Sequence, residues 1–166
     1  TAITIDVNDN VGIGVTPETD WHSGADALQL GTGASIYGDT TATGNQISAN
    51  ARATAGSSLN GYKYISTDKA STYHQYDGAH NFRVAASGSA DAAIVWTTAM
   101  TIANNGFIGI GETSPVDKLH IKQNGDIGAC LRIDNSNTSS AGSGSVVFER
   151  NGTVVGTIQL TGSATI

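Results

Sequence analysis

Apolar positions in this chain alternate with polar ones over short stretches, and each stretch is cut by Gly or Asn. That spacing has period two, the mark of a half-buried strand. Nowhere does it hold the 3.6-residue period of an amphipathic helix. Strands are predicted at Ala2 to Val7, Ala27 to Leu30, Ala34 to Tyr37, Gly61 to Ser66, Thr72 to Tyr76, Asn81 to Ala85 and Ala92 to Thr97. Further along they are predicted at Ala99 to Ala103, Lys118 to Lys122, Ala129 to Asp134, Gly144 to Arg150 and Thr153 to Leu160. Asn151-Gly152 sits between the last two as a hairpin turn, because both residue types tolerate positive φ. Asn45 to Ser58 is low in pattern and reads equally as strand, short helix or loop.

The pattern repeats. Ala2-Ile3-Thr4-Ile5 recurs as Ala99-Met100-Thr101-Ile102, and Val11-Gly12-Ile13-Gly14 as Ile108-Gly109-Ile110-Gly111, both at an offset of 97 residues. Between Ala2 and Thr16, eight of fifteen positions are identical at that offset. Each copy reads as a strand, an Asn-rich turn, a second short strand, a Pro-containing corner and a further strand. The turns are Asn8-Asp9-Asn10 and Asn104-Asn105-Gly106. The corners carry Pro17 and Pro115, and the first is longer, with Trp21 and His22 in it. Gly-Ile-Gly puts one apolar side chain between two residues with none, which suits close backbone approach, for instance near a symmetry axis.

Composition narrows the class. Of 166 residues, 13% are charged, 39% hydrophobic and 6% aromatic, with 21 Gly and 2 Pro. Few aromatics mean a thin core for one chain, so much apolar surface is expected to be buried between chains. The net charge of −6 argues against nucleic-acid binding, which needs a basic footprint. No apolar run reaches roughly 18 residues, so no membrane insertion is expected. The single Cys130 excludes an intrachain disulfide and reads as a small core residue.

The stretches Asn10 to Pro17 and Gly106 to Pro115, the latter followed by Lys118-Leu119-His120-Ile121, resemble the "NVGIGTTSP…KLHV" repeat of bacteriophage tail fibres. Val146 to Ile158, then Gly162 to Ile166, resembles the segment upstream of a C-terminal intramolecular chaperone of the peptidase S74 type. No Ser-Asp cleavage site of that domain is present in this chain. The resemblance implies an all-β fold of short strands and tight turns, an intertwined β-structured homotrimeric fibre with small β-rich insert domains. It implies a stalk module at 1–30, a β-rich insert or knob at 31–98, a second module at 99–124, and a β-rich segment at 125–166 leading to the chaperone. The expected function is a virion structural protein, extracellular on the tail fibre, that attaches to a host cell-surface glycan or protein alongside other tail proteins. Two alternatives stand beside it: a fragment of a polysaccharide-degrading tailspike, or a bacterial extracellular adhesin or filament.

Candidate receptor contacts are Trp21 on the long corner and the aromatic zone Tyr62, Tyr64, Tyr73, His74 and Tyr76, since Tyr, Ser, Asn and Gly suit adaptable recognition. Packing is the competing explanation, because Tyr62 with Tyr64 and His74 with Tyr76 also alternate as a half-buried strand does. No catalytic residue, cofactor or metal is expected. Gly12 to Pro17 begins like a dinucleotide fingerprint but ends in Pro. Ser66 and Lys69 fit S-x-x-K by spacing alone. Asp68 with Asp77 is the one acid pair left open. His74 and His80 near Asp77 make a weak metal set, and Asp6 to Asn10 starts like a calcium loop, with a tight turn as the simpler explanation.

Overall fold

The computed structural model describes residues 2–22, 25–39, 44–54, 61–123, 131 and 143–161. Among them the chain is all-β, with no helix. It divides into two units, Thr1–Asn124 and Gly125–Ile166.

The first unit is built on a ten-stranded mixed sheet. Its strands are β1 (Ile3–Ile5), β2 (Val11–Ile13), β3 (Ala25–Leu30), β4 (Ala34–Asp39), β5 (Gly44–Ala49), β8 (Asp68–Tyr76), β9 (Ala79–Gly88), β10 (Thr97–Ile102), β11 (Ile108–Ile110) and β12 (Leu119–Ile121). They lie side by side in that order. Between β5 and β8 the chain leaves the sheet as a small antiparallel pair, β6 (Ala51–Ala53) with β7 (Tyr62–Tyr64). All neighbours in the sheet are antiparallel except β2 with β3 and β11 with β12.

The sequence repeat is a repeat of register. Ile3 pairs with Ile13 in the first copy, and Met100 with Ile110 in the second. The third strand then joins in parallel, Val11 beside Leu28 and Ile108 beside Leu119. The glycines explain why the corner can fold back. A methyl group on Gly12 would overlap the Val15 carbonyl oxygen, and one on Gly109 would overlap that of Glu112. Gly14 and Gly111 then turn at φ 72 and φ 69, a region open to Gly at little cost. The close approach foreseen for Gly-Ile-Gly is therefore made by this chain's own corner.

The hairpin joining β8 and β9 turns at Asp77 (φ 49) and Gly78 (φ 73), the positive-φ pair that a two-residue hairpin needs. Asn45 to Ala53, undecided from sequence, is strand: β5, then β6 after a turn at Asn50 (φ 54). Asn50 fixes that turn with its side chain. Its amide donates to the Ser66 and Lys69 carbonyls and accepts from the Ser66 backbone and hydroxyl. The strand expected over Ala92 to Thr97 is mostly an extended crossing. Only Ala93 bridges, to Lys63, and a regular strand begins at Thr97. The reason is that this segment is tied to β7, through Ile94 N–H donating to the Tyr62 carbonyl at 2.8 Å.

The core lies on one side of the sheet. Trp21, Ala27, Tyr37, Ala51, Ala53, Tyr62, Tyr64, Ala70 and Ile94 are buried together there, with Ala85 and Trp96 against them. The β6–β7 pair forms the lid over this side. Ser35 Oγ donates to the Ala51 carbonyl at 2.6 Å, and Gln46 Nε2 donates to the Tyr62 hydroxyl.

Among the described residues the second unit contributes one hairpin, β13 (Ser143–Arg150) with β14 (Thr153–Thr161), turning at Asn151 (φ 51) and Gly152 (φ 75). Val147, Phe148, Val154, Val155 and Ile158 are exposed on it. Cys130 and the strand expected at Ala129 to Asp134 lie outside the described residues, Leu131 apart.

Candidate functional site

The two faces of the large sheet are the reverse of what alternation usually gives. The face under the lid is lined by polar side chains. Gln29, Ser35, Gln46, Ser48, Thr72, His74 and Thr101 are all buried there. Some of them bond to one another or to a neighbour: Ser48 Oγ donates to Thr72 Oγ1 at 2.9 Å, Thr72 Oγ1 to Gln46 Oε1 at 3.2 Å, and Thr101 Oγ1 to Asn81 Oδ1 at 3.0 Å.

The opposite face is apolar, and within the first unit no described residue covers it. Following the pairing register from strand to strand gives one unbroken row: Ile5, Val11, Leu28, Ile36, Ile47, Tyr73, Phe82, Met100, Ile110, Ile121. None of the ten is buried, and Ile5 and Ile47 are 65% and 54% exposed. A flanking row starts Ile3, Ile13, Leu30, Ala34, Ala49. Near the middle the surface dips into an open depression of about 540 Å³ bordered by Ile47, Ala49, Tyr73, Phe82 and Val84. At roughly 4.8 Å per strand the main row runs about 43 Å. Exposed apolar patches of this extent mark interaction surfaces.

The six aromatic and imidazole candidates divide between the two faces. Trp21, Tyr62, Tyr64 and His74 are buried under the lid. Trp21 packs on Tyr37 with ring centroids 5.8 Å apart, Tyr62 meets Trp96 edge-on at 5.7 Å, and Tyr64 donates its hydroxyl to the Ala86 carbonyl at 2.6 Å. Their burial leaves these four a packing role. His74 stacks on Tyr76 at 5.7 Å, and its pKa is pushed down to about 4, first by burial and then by the charge of Arg83. Tyr76 is exposed. Tyr73 stands in the apolar row, stacked on His80 and tilted against Phe82, with its hydroxyl 2.5 Å from His80 Nδ1.

One functional-looking cluster was not foreseen. Arg52 is buried, and its guanidinium reaches Asp20 at 2.8 Å, Asp91 at 2.5 Å, Glu18 at 3.9 Å and the Tyr64 carbonyl at 3.0 Å. Lys63 Nζ lies 2.7 Å from the other oxygen of Asp20. Burial works against the Arg52 charge, but the bonds to Asp20 and Asp91 outweigh it and its pKa is raised. Burial likewise opposes Asp20 ionisation, and the bonds from Arg52 and Lys63 win, so its pKa is lowered. Every cation here is matched, so the cluster clamps the long corner to the lid. Its signal in the sequence is that Arg52 is the first basic residue after six acidic ones.

Asp6 is likewise occupied. Its carboxylate accepts from the backbone N–H of Asn8 and Asn10, at 2.8 and 2.9 Å, and from the Asn10 side-chain amide at 3.0 Å. Those three bonds close the turn that a calcium loop would have left open for a metal. Asp68 and Asp77 sit at opposite ends of β8 and its turn, too far along one strand to act as a pair. Neither protein-family models nor curated proteins match this chain.

Proposed function

We propose that this chain is a structural segment of a virion tail fibre, working outside the cell as a homotrimer that attaches to a host-surface glycan or protein. The observation that carries the reading is the unbroken apolar row on a sheet face that no described residue of the first unit covers. Three copies turning that face to a common axis would share one apolar spine. Covering ten half-exposed side chains is worth on the order of 10 kcal/mol per copy, the scale of the entropic cost of association. The outward side would then be the lid, with its small charged corner and the exposed ring of Tyr76. The polar lining under the lid fits this arrangement, because much of it is bonded within the chain.

Mass measurement under native conditions tests the reading. Three chains are expected. Ile47→Glu, which puts a charge in the middle of the spine, should shift the wild-type trimer to monomer or unfolded chain, at a cost of about 2 kcal/mol or more per copy. A stable wild-type monomer would overturn the proposal. A glycan-array screen of the intact trimer then reads attachment directly.

A further inference from the structure

We infer that the lid over the sheet is an acid-sensitive closure, held shut by a neutral His74 and loosened when that ring takes a proton. The device lies within one chain and does not rest on how copies assemble.

His74 stands on the polar face of the sheet, 4% exposed. Its Nδ1 is shut off from water and has no hydrogen-bond partner. A neutral ring with its proton on Nε2 tolerates that, since Nδ1 then has nothing to donate. Both nitrogens of the charged ring are donors. The charged form therefore always holds a buried N–H at Nδ1 with no acceptor, on top of the cost of burying the charge.

The neighbours give that charge little. Gln46 of β5 and Asn81 of β9 stand directly opposite the ring. Arg83 lies diagonally on β9, while Thr72 and Tyr76 flank the ring on its own strand. From the lid, the Tyr62 hydroxyl approaches by way of Gln46. None of these groups is an acid, and Arg83 is a cation. Tyr76, stacked at 5.7 Å, is the one that favours a charged ring, and it is itself exposed. The outcome is a pKa of about 4 against an ordinary 6.5, set by burial first and Arg83 second.

The route from ring to lid runs through Gln46. Its Oε1 accepts from Thr72 at 3.2 Å, and its Nε2 donates to the Tyr62 hydroxyl. Asn81 Oδ1 is likewise taken, by Thr101 at 3.0 Å. Both amide oxygens opposite the ring are therefore occupied. A proton on Nδ1 competes for Gln46 Oε1, and turning that amide withdraws Nε2 from Tyr62. Admitting water instead requires the lid to lift. Either way the charged ring favours an open lid. The open form binds the proton first as pH falls. The contribution of His74 to closure is thus fully present above 6.5 and fades toward 4, by roughly tenfold per pH unit in between. The Arg52 clamp keeps its charges over that range, because Asp20 is held below its ordinary 3.8. The lid loosens at Tyr62 and stays tethered at Arg52.

Tryptophan emission tests it, because Trp21 and Trp96, the chain's two tryptophans, both belong to the core under the lid. In the full chain, lowering the pH from about 7 to about 4.5 should shift the emission to longer wavelength, with an opening constant that rises roughly tenfold per pH unit. His74→Gln, neutral throughout, should keep the spectrum it has at neutral pH. Arg83→Met keeps the ring and removes the cation beside it. Its opening should move to lower pH, and the His74 midpoint followed by NMR should rise above about 4. If His74→Gln by itself unseats the lid, the Arg83→Met shift decides. A wild-type acid response retained in His74→Gln, or an Arg83→Met midpoint that does not move, overturns the inference. So does a wild-type ring already charged at about pH 6.

Discussion

In the first module the corner is held by buried neutral amides; in the second it is held by surface charge. Gln29 is fully buried, its side-chain carbonyl accepting the Glu18 N–H at 2.9 Å, while buried Asn10 accepts from Ala27 N–H at 3.1 Å. In the second module Phe107, at the place of Asn10, lies under the Lys118 ammonium, 4.8 Å from the ring centre, His120 stands in the place of Gln29, and Glu112, at the place of Val15, is bonded to Lys122 at 2.8 Å. The first corner also carries the Arg52 clamp, which has no counterpart in the second. Yet the two backbones pair in the same register. What the modules share is the pair of positions that cannot bear a side chain, and what they vary is how the corner is fastened. Backbone sterics set the register, and side chains set how firmly it is locked.

The largest effect should come from what is shared. Gly12→Ala and Gly109→Ala each drive a methyl into a corner carbonyl, so each should cost about 3 kcal/mol, with similar losses in thermal unfolding. If one is tolerated, the modules do not share a steric basis. Next comes Arg52→Met, which unfastens only the first corner. Its carboxylate partners are partly exposed and return to water, so about 2 kcal/mol is expected; hydrogen exchange should speed up around Asp20 and Trp21 and stay unchanged around Glu112. The smallest effect should be the acid response of the second corner. Lys122, and then the Ser114 N–H, pull Glu112 down to about 2 from an ordinary 4.5. The unfolded chain therefore binds this proton first, and the contribution present above pH 4.5 fades as pH falls toward 2. Lys122→Met should flatten that part of the pH profile, as should added salt.

Much of the strand layout was legible because it rests on local chemistry. The duplicated Gly-Ile-Gly and the Asn151-Gly152 turn carry their geometry in residue type. Which sheet face would be covered was not legible. Ala27-Leu28-Gln29-Leu30 announces one apolar and one polar face, but nothing local says that Gln29 goes inside. That choice is made by the lid, whose first strand is only Ala51-Arg52-Ala53 and has no hydrophobic pattern to find. The same lid draws Trp21, Tyr62 and Tyr64 inward, where they join the core. Arg52 eluded the pattern for a similar reason, since its acidic partners lie about 30 to 40 residues away in sequence.

The parallel step inside each module constrains how such a chain can change length. Seven strands of the sheet separate the start of one module from the start of the next, an odd number. In a plain meander an odd count would bring the second module back upside down. The single parallel step, β2 with β3, corrects the parity, so that β10 runs the same way as β1. Material inserted between modules must then arrive as whole hairpins, two strands at a time, while an odd strand would turn every later module over. The corner that makes the parallel step, with glycine beneath it, is the element that lets modules of one orientation recur along a chain.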